Sequence, residues 1–110
     1  MSDARILLTT CADAPGAETL ARTLVDERLA ACVNLVPHVR SVYRWRSAIE
    51  ESDEILCVVK TTSAMVEAVT KRIRELSTYE VPEAVVLNVE GGSQPYLDWI
   101  AASVAESAPR

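Results

Sequence analysis

The chain holds no run of 18 apolar residues, which leaves nothing long enough to span a bilayer as a helix. It also holds no dense block of lysine and arginine, and its formal net charge is −5. Nucleic acids and anionic membranes are bound by neutralising phosphates, so both are excluded as expected partners. Cysteine occurs three times, as Cys11, Cys32 and Cys57, with no CxxC spacing and an odd count. That pattern gives no disulfide framework and fits reduced thiols in a cytoplasm. The opening MSDARILLTT carries an acidic residue and only a short apolar run, unlike a secretory signal. Neither GxxxxGKS nor GxGxxG is present, so Gly91, Gly92 and Ser93 read as a turn and a helix cap rather than a phosphate cradle. No internal repeat is evident.

What is present suits one domain over residues 1–110, since about half of the 110 residues are apolar. A domain of that size buries roughly two-thirds of its unfolded surface and folds without a metal or disulfide. Any metal is then expected to be functional rather than architectural.

Arg5 to Cys11 form a short apolar run ended by Asp13, Pro15 and Gly16, which predicts a buried strand followed by a helix start. Asp13 is the expected cap, with Pro15 near the first helical position. Ala17, Leu20, Leu24 and Leu29 recur at helical spacing, and the helix is expected to run to about Ala30. A second strand begins at Cys32 and meets Pro37, which marks a bulge or an edge. Beyond it Val39, Ser41, Tyr43 and Trp45 alternate with Arg40, Val42, Arg44 and Arg46. A tight connection at Ser47 and Ala48 leads into a third strand from Ile49 to Thr61, whose second half, ILCVVKT, is too continuously apolar to be buried on one face only. Ser63 is the expected cap of a second helix carrying Val66, Val69, Ile73 and Leu76. The loop STYEVPE, a fourth strand AVVLNVE and a last helix after Ser93 complete the order βαββαβα. This is the pattern of an α+β, ferredoxin-like sandwich with a long hairpin and a C-terminal helix.

The hairpin carries a prediction of its own. An unbroken strand from Cys32 to Trp45 spans roughly 45 Å, against a radius of gyration of about 13 Å for a compact chain of this length. A hairpin that projects so far leaves strand edges and the rings of Tyr43 and Trp45 in water, an arrangement that a symmetric neighbour relieves. The dimer is the commonest closed symmetry.

Individual side chains point to modest chemistry. Cys32 and Cys57 lie in apolar strand segments and read as core. His38, the one histidine, reads as an exposed bend residue beside Pro37. Glu50, Glu51, Asp53 and Glu54 form an acidic cluster, but Arg40, Arg44 and Arg46 across the hairpin make solvated ion pairs the simpler reading. A ferredoxin-like hydrolase of the acylphosphatase kind wants an arginine in a phosphate-cradling loop and an asparagine to orient water. CADAPGAE has no arginine, and Asn34 and Asn88 fall within strands, so no enzyme is expected.

Four segments in register, LVDERLAACVNLVP, YRWRSAIEESDEILCVVKT, YEVPE and YLDWI, resemble the CutA family of divalent-cation tolerance proteins over nearly the whole chain. The resemblance implies a tight homotrimer, with Tyr43 and Trp45 at the subunit interface, and a non-enzymatic role in tolerance of copper and other divalent cations. Of the ligands proposed in that family, the carboxylate is kept as Glu83. The histidine before the VPE turn is Ser77 here, and the cysteine of the first strand aligns with Thr9. Cys11, two positions on and on the same strand face, is the thiol that could take its place, so Cys11 and Glu83 are the expected metal ligands. Family geometry also implies that Lys60 and Tyr79 gather beside Glu83 as a ligand-binding cleft. Glycines usual after Pro37 and at the hairpin tip are His38 and Ser47.

Overall fold

The protein is described by a computed structural model covering residues 2–104. Its elements are β1 (Ala4–Cys11), α1 (Ala14–Asp26), β2 (Cys32–Trp45), β3 (Ala48–Thr62), α2 (Val66–Leu76), β4 (Val85–Asn88) and α3 (Gln94–Ser103). The four strands make one antiparallel sheet in the order β2-β3-β1-β4, as the α+β, ferredoxin-like expectation requires.

Helix α1 starts where the sequence predicts. Asp13 is extended, and its carboxylate accepts the Gly16 N–H at 2.8 Å. The helix ends at Asp26, four residues before the expected Ala30. Arg28 turns left-handed at φ 61°, and the N–H groups of Leu29 and Ala30 both fold back on the Leu24 carbonyl. Leu29 and Ala30 still pack into the core, so the apolar spacing outlasts the helical backbone. Ser63 does not cap α2. It opens a short 3₁₀ turn, and its hydroxyl donates instead to Asp3 at 2.6 Å, tying the turn to the start of β1. Arg72 of α2 grips Glu27 at the end of α1 through two hydrogen bonds of 3.0 and 2.8 Å, which hold the Glu27 carboxyl below its usual range.

Strand alternation assigns the two sheet faces. Leu7, Thr9, Cys57, Val59 and Thr61 point under α1 and α2, where they meet Leu20, Leu24, Val69 and Ile73 in a closed core. Cys57 is core, as expected. Cys32 is not: on the edge strand β2 it stays half-buried on the opposite face, against Asn34. That face presents Ile6, Leu8, Leu56 and Val58, continued by Val85 and Leu87 of β4. Helix α3 covers only one end of the molecule, packing Ile100 and Val104 on Ala4 and Ala31.

The β2–β3 hairpin pairs from Cys32 with Lys60 to Trp45 with Ala48, interrupted once between Val36 and Val39. Its turn is Arg46 and Ser47, both left-handed at φ 51° and 70°, one residue earlier than the predicted Ser47–Ala48 connection. The molecule measures 44 × 29 × 21 Å, so the hairpin projects rather than folding back.

Candidate functional site

The bulge at Pro37 and His38 decides what the hairpin presents. From Val36 to Val39 strand β2 advances three residues while β3 advances two, from Leu56 to Glu54, and His38 takes φ 62°. One extra residue reverses the alternation of everything that follows it. Ser41, Tyr43 and Trp45 are thereby turned onto the same sheet face as Glu54, and with Thr10, Tyr79 and Glu83 they line a cleft of about 410 Å³.

Glu54 is the centre of that cleft and is only 9% exposed. The Tyr79 hydroxyl, brought over by the loop after α2, donates to its carboxylate at 2.6 Å. Burial alone raises a carboxyl, but the hydroxyls of Ser41, Tyr79 and Thr10 outweigh it and hold Glu54 below the usual carboxylate range. Tyr79 responds in the opposite sense: burial first, then its bond to Glu54, pushes its hydroxyl well above the usual phenol range. Glu83 has no such donors. Burial and the Glu54 charge push its carboxyl up. The cleft therefore pairs one satisfied carboxylate with one that lacks a countercharge. Around the rim, Tyr43 bonds Ser52 at 2.8 Å, and Arg46 lies over the Trp45 ring while pairing with Glu80 at 2.9 Å. Glu51 and Asp53 pair with Arg40 in the solvated manner expected of the hairpin acids. Glu54 stands apart from them, because it faces the cleft.

Cys11 occupies a second, much smaller cavity of about 40 Å³, with Thr9, Asp13, Leu76 and Ser77 among its lining residues. Thr10 and Tyr79 line both cavities and so form the wall between Cys11 and Glu83. Lys60 is brought to neither. Six residues beyond Glu54 along β3, roughly 20 Å at the usual strand rise, it lies over the Tyr96 ring with its ammonium 3.5 Å from the Tyr96 hydroxyl. Of the four expected site residues, Tyr79 and Glu83 share a cleft, Cys11 is next door, and Lys60 joins α3 instead. Glu54, Thr10 and Ser41 were missed. Counting in twos back from Val58 and Leu56 would have put Glu54 on the apolar reverse face of the sheet. Among the described residues, no three His, Cys, Asp or Glu side chains gather into a group that could hold a metal ion.

A family model described as CutA1 divalent ion tolerance protein matches residues 5–103. Protein CutA of Mus musculus is 46% identical over 91 residues, 83% of this chain and 51% of the mouse protein. The chain thus spans about half the length of that relative. The divalent-cation tolerance protein CutA of Thermus thermophilus is 43% identical over 95 residues, 86% of this chain and 92% of that protein. Among solved structures, CutA of Xylella fastidiosa superposes with a TM-score of 0.92 at 42% identity, over 94% of this chain and 99% of that one. CutA1 of Oryza sativa superposes equally well, at 0.92 and 32% identity, over 96% of each chain.

Proposed function

Since the chain belongs to the CutA1 family of divalent ion tolerance proteins, we propose that it is a cytoplasmic homotrimer that serves divalent-cation tolerance by binding ions and not by catalysis. Relatives are named for tolerance and not for a reaction. The sheet face carrying Val85 and Leu87, together with the projecting rings of Tyr43 and Trp45, supplies the apolar surface that sister chains would cover.

The observation that carries the ion-binding part is the cleft that Glu83 and Glu54 line together, where burial and the Glu54 charge push the Glu83 carboxyl up. A divalent cation in the cleft removes that repulsion. Its donors there are oxygens only, from Glu83, Glu54 and the hydroxyls of Thr10 and Ser41, which suits a hard cation. Copper prefers imidazole or thiolate, and the positions where the family resemblance implies them are Ser77 and Thr9 here. Cys11 could add its thiol to Glu83 only if the Tyr79 wall moved aside. Binding is therefore weak, and weaker for copper than in a relative that keeps the histidine.

Calorimetric titration of Zn(II), Mn(II) and Cu(II) into the wild type and Glu83→Gln tests the site, with light scattering of the same samples. Weak binding that disappears in Glu83→Gln, at three times the 12.0 kDa chain mass, is the expected result. Unaltered binding in the variant refutes the cation site, and a 12.0 kDa species refutes the assembly. A second reading rests on the aromatic walls of the 410 Å³ cleft, which suit a small organic molecule or a protein partner bound between subunits. A trimer indifferent to all three metals favours that reading.

A further inference from the structure

The Cys11 and Cys57 side chains form a pair that the cleft chemistry does not use. In the β1–β3 ladder Cys11 stands opposite Ile55 and Cys57 opposite Thr9, so the two cysteines are diagonal neighbours on the helix-covered face. Their sulfurs are 3.9 Å apart. Cys57 is fully buried, while Cys11 is half-buried and opens onto the 40 Å³ cavity. One sulfur is thus anchored in the core and the other is reachable from outside.

A disulfide is the obvious product of two close thiols, but the ladder position opposes it. Diagonal positions across a sheet lie about 7–8 Å apart, beyond the roughly 4.4–6.8 Å between Cα atoms that a disulfide spans. Bridging them would require the two central strands of the sheet to close on each other. The pair therefore remains as two thiols at a separation set by the backbone.

That separation suits a metal. With a metal–sulfur bond of about 2.3 Å, the length of a zinc–thiolate bond, sulfurs 3.9 Å apart subtend roughly 115° at the ion, and a longer bond narrows that angle. Cys11 faces the small cavity, which has room for an ion and a third donor atom and none for an organic ligand. Thiolates with no imidazole beside them select soft ions. We propose that Cys11 and Cys57 form a two-sulfur site for a soft monovalent cation of the Ag(I) or Cu(I) class, separate from the carboxylate cleft. Each thiol releases its proton to solvent and gives a sulfur lone pair to the ion, which enters and stays in the +1 state, so no oxidant or reductant takes part. The unit changes from two neutral thiols to a bis-thiolate complex of net charge −1.

Anaerobic competition titration with Ag(I), and with Cu(I) against a chromogenic chelator, tests the site on the wild type, Cys11→Ser, Cys57→Ala, Cys32→Ser and Glu83→Gln. The wild type and Cys32→Ser are expected to take one ion per chain with the same affinity, while Cys11→Ser and Cys57→Ala lose at least about a hundredfold. X-ray absorption of the loaded protein should show sulfur alone as the near neighbours. Cys11→Ser alters a half-buried position, so its result stands even if circular dichroism shows Cys57→Ala unfolded. A wild type that binds no monovalent ion overturns the site, as does full affinity in Cys11→Ser, loss in Cys32→Ser, or oxygen and nitrogen neighbours. Glu83→Gln should keep Ag(I) while losing the divalent ions, which separates failure here from failure of the cleft.

Discussion

On the sheet face beneath α1 and α2, Leu7, Cys57 and Val59 are wholly buried, whereas on the reverse face Leu8, Leu56 and Val58 are half-buried and Val85 and Leu87 stand 48% and 43% exposed. Both faces are built from the same strands and almost the same kinds of residue. Only one is closed by the chain's own helices, since α3 reaches just the end of the other. A sheet apolar on both sides is expected to be covered on both. In the assembly proposed above the uncovered side is the one that another chain would cover, and the cleft of Glu54, Tyr79 and Glu83 lies on that same side. The closed face supports folding; the open face is the one on which the proposed assembly and binding depend.

The largest effect should come from putting a charge on the open face. Leu87 sits opposite Ile6 in the ladder. Leu87→Asp is expected to collapse the assembly to the 12.0 kDa chain, because an unpaired carboxylate cannot be buried at an apolar interface. On a face that stayed in water the same change would be worth only about ±0.5 kcal/mol. If sedimentation gives the variant the same mass as the wild type, the two faces do not differ in the way described.

Next in size is a cavity on the closed face. Leu24 is fully buried between α1 and the sheet. Leu24→Ala should lower unfolding stability in urea by about 2–5 kcal/mol while leaving the assembled mass unchanged. Dissociation without loss of chain stability would mean that α1 belongs to the interface and not to the core.

A smaller effect, readable by pH, separates the cleft from the rest of the open face. Glu54 is held low in the folded protein, so its contribution is complete above the ordinary glutamate range and fades as pH falls through its depressed value. Tyr79→Phe removes one of the donors that hold it there. The variant should lose about 1–2 kcal/mol at neutral pH, and its acid unfolding should begin at higher pH than that of the wild type. Glu83 has the opposite sign, since its raised carboxyl costs stability as pH climbs through its shifted value. An acid limb identical in wild type and Tyr79→Phe would show that the hydroxyl does not govern Glu54.

Much of this was legible in the residues. The order of elements, the Asp13 cap and the bulge at Pro37 follow from propensity and from periods of two and 3.6. The end of α1 did not, because Leu29 and Ala30 keep the helical spacing after Arg28 has broken the backbone. The site was harder. Charge proximity grouped Glu54 with Glu50, Glu51 and Asp53, while strand alternation separates it from Asp53 and burial from the others. Whether Tyr43 and Trp45 face the cleft depends on a single extra residue at the bulge, whose effect on register no propensity scale carries. Lys60 was placed by family geometry, and the length of β3 carries it away to Tyr96.

The smallest expected effect lies at the hairpin tip, the part of the open region farthest from the core. Ser47 holds φ 70° in a two-residue turn, a conformation that costs an L side chain and suits glycine. Ser47→Gly removes the steric cost in the folded state but adds freedom to the unfolded chain, so the two partly cancel and leave a gain of about 0.5 kcal/mol. The gain should appear in thermal unfolding with no change in assembled mass or in cation binding. His38→Gly offers the control, for His38 is equally left-handed but sits in the bulge that orients Tyr43 and Trp45. If the tip is only a turn and the bulge sets the cleft, freeing His38 should alter the Trp45 fluorescence, whereas freeing Ser47 should not. Equal changes from both substitutions would mean that the hairpin moves as one body and that the bulge has no separate hold on the cleft.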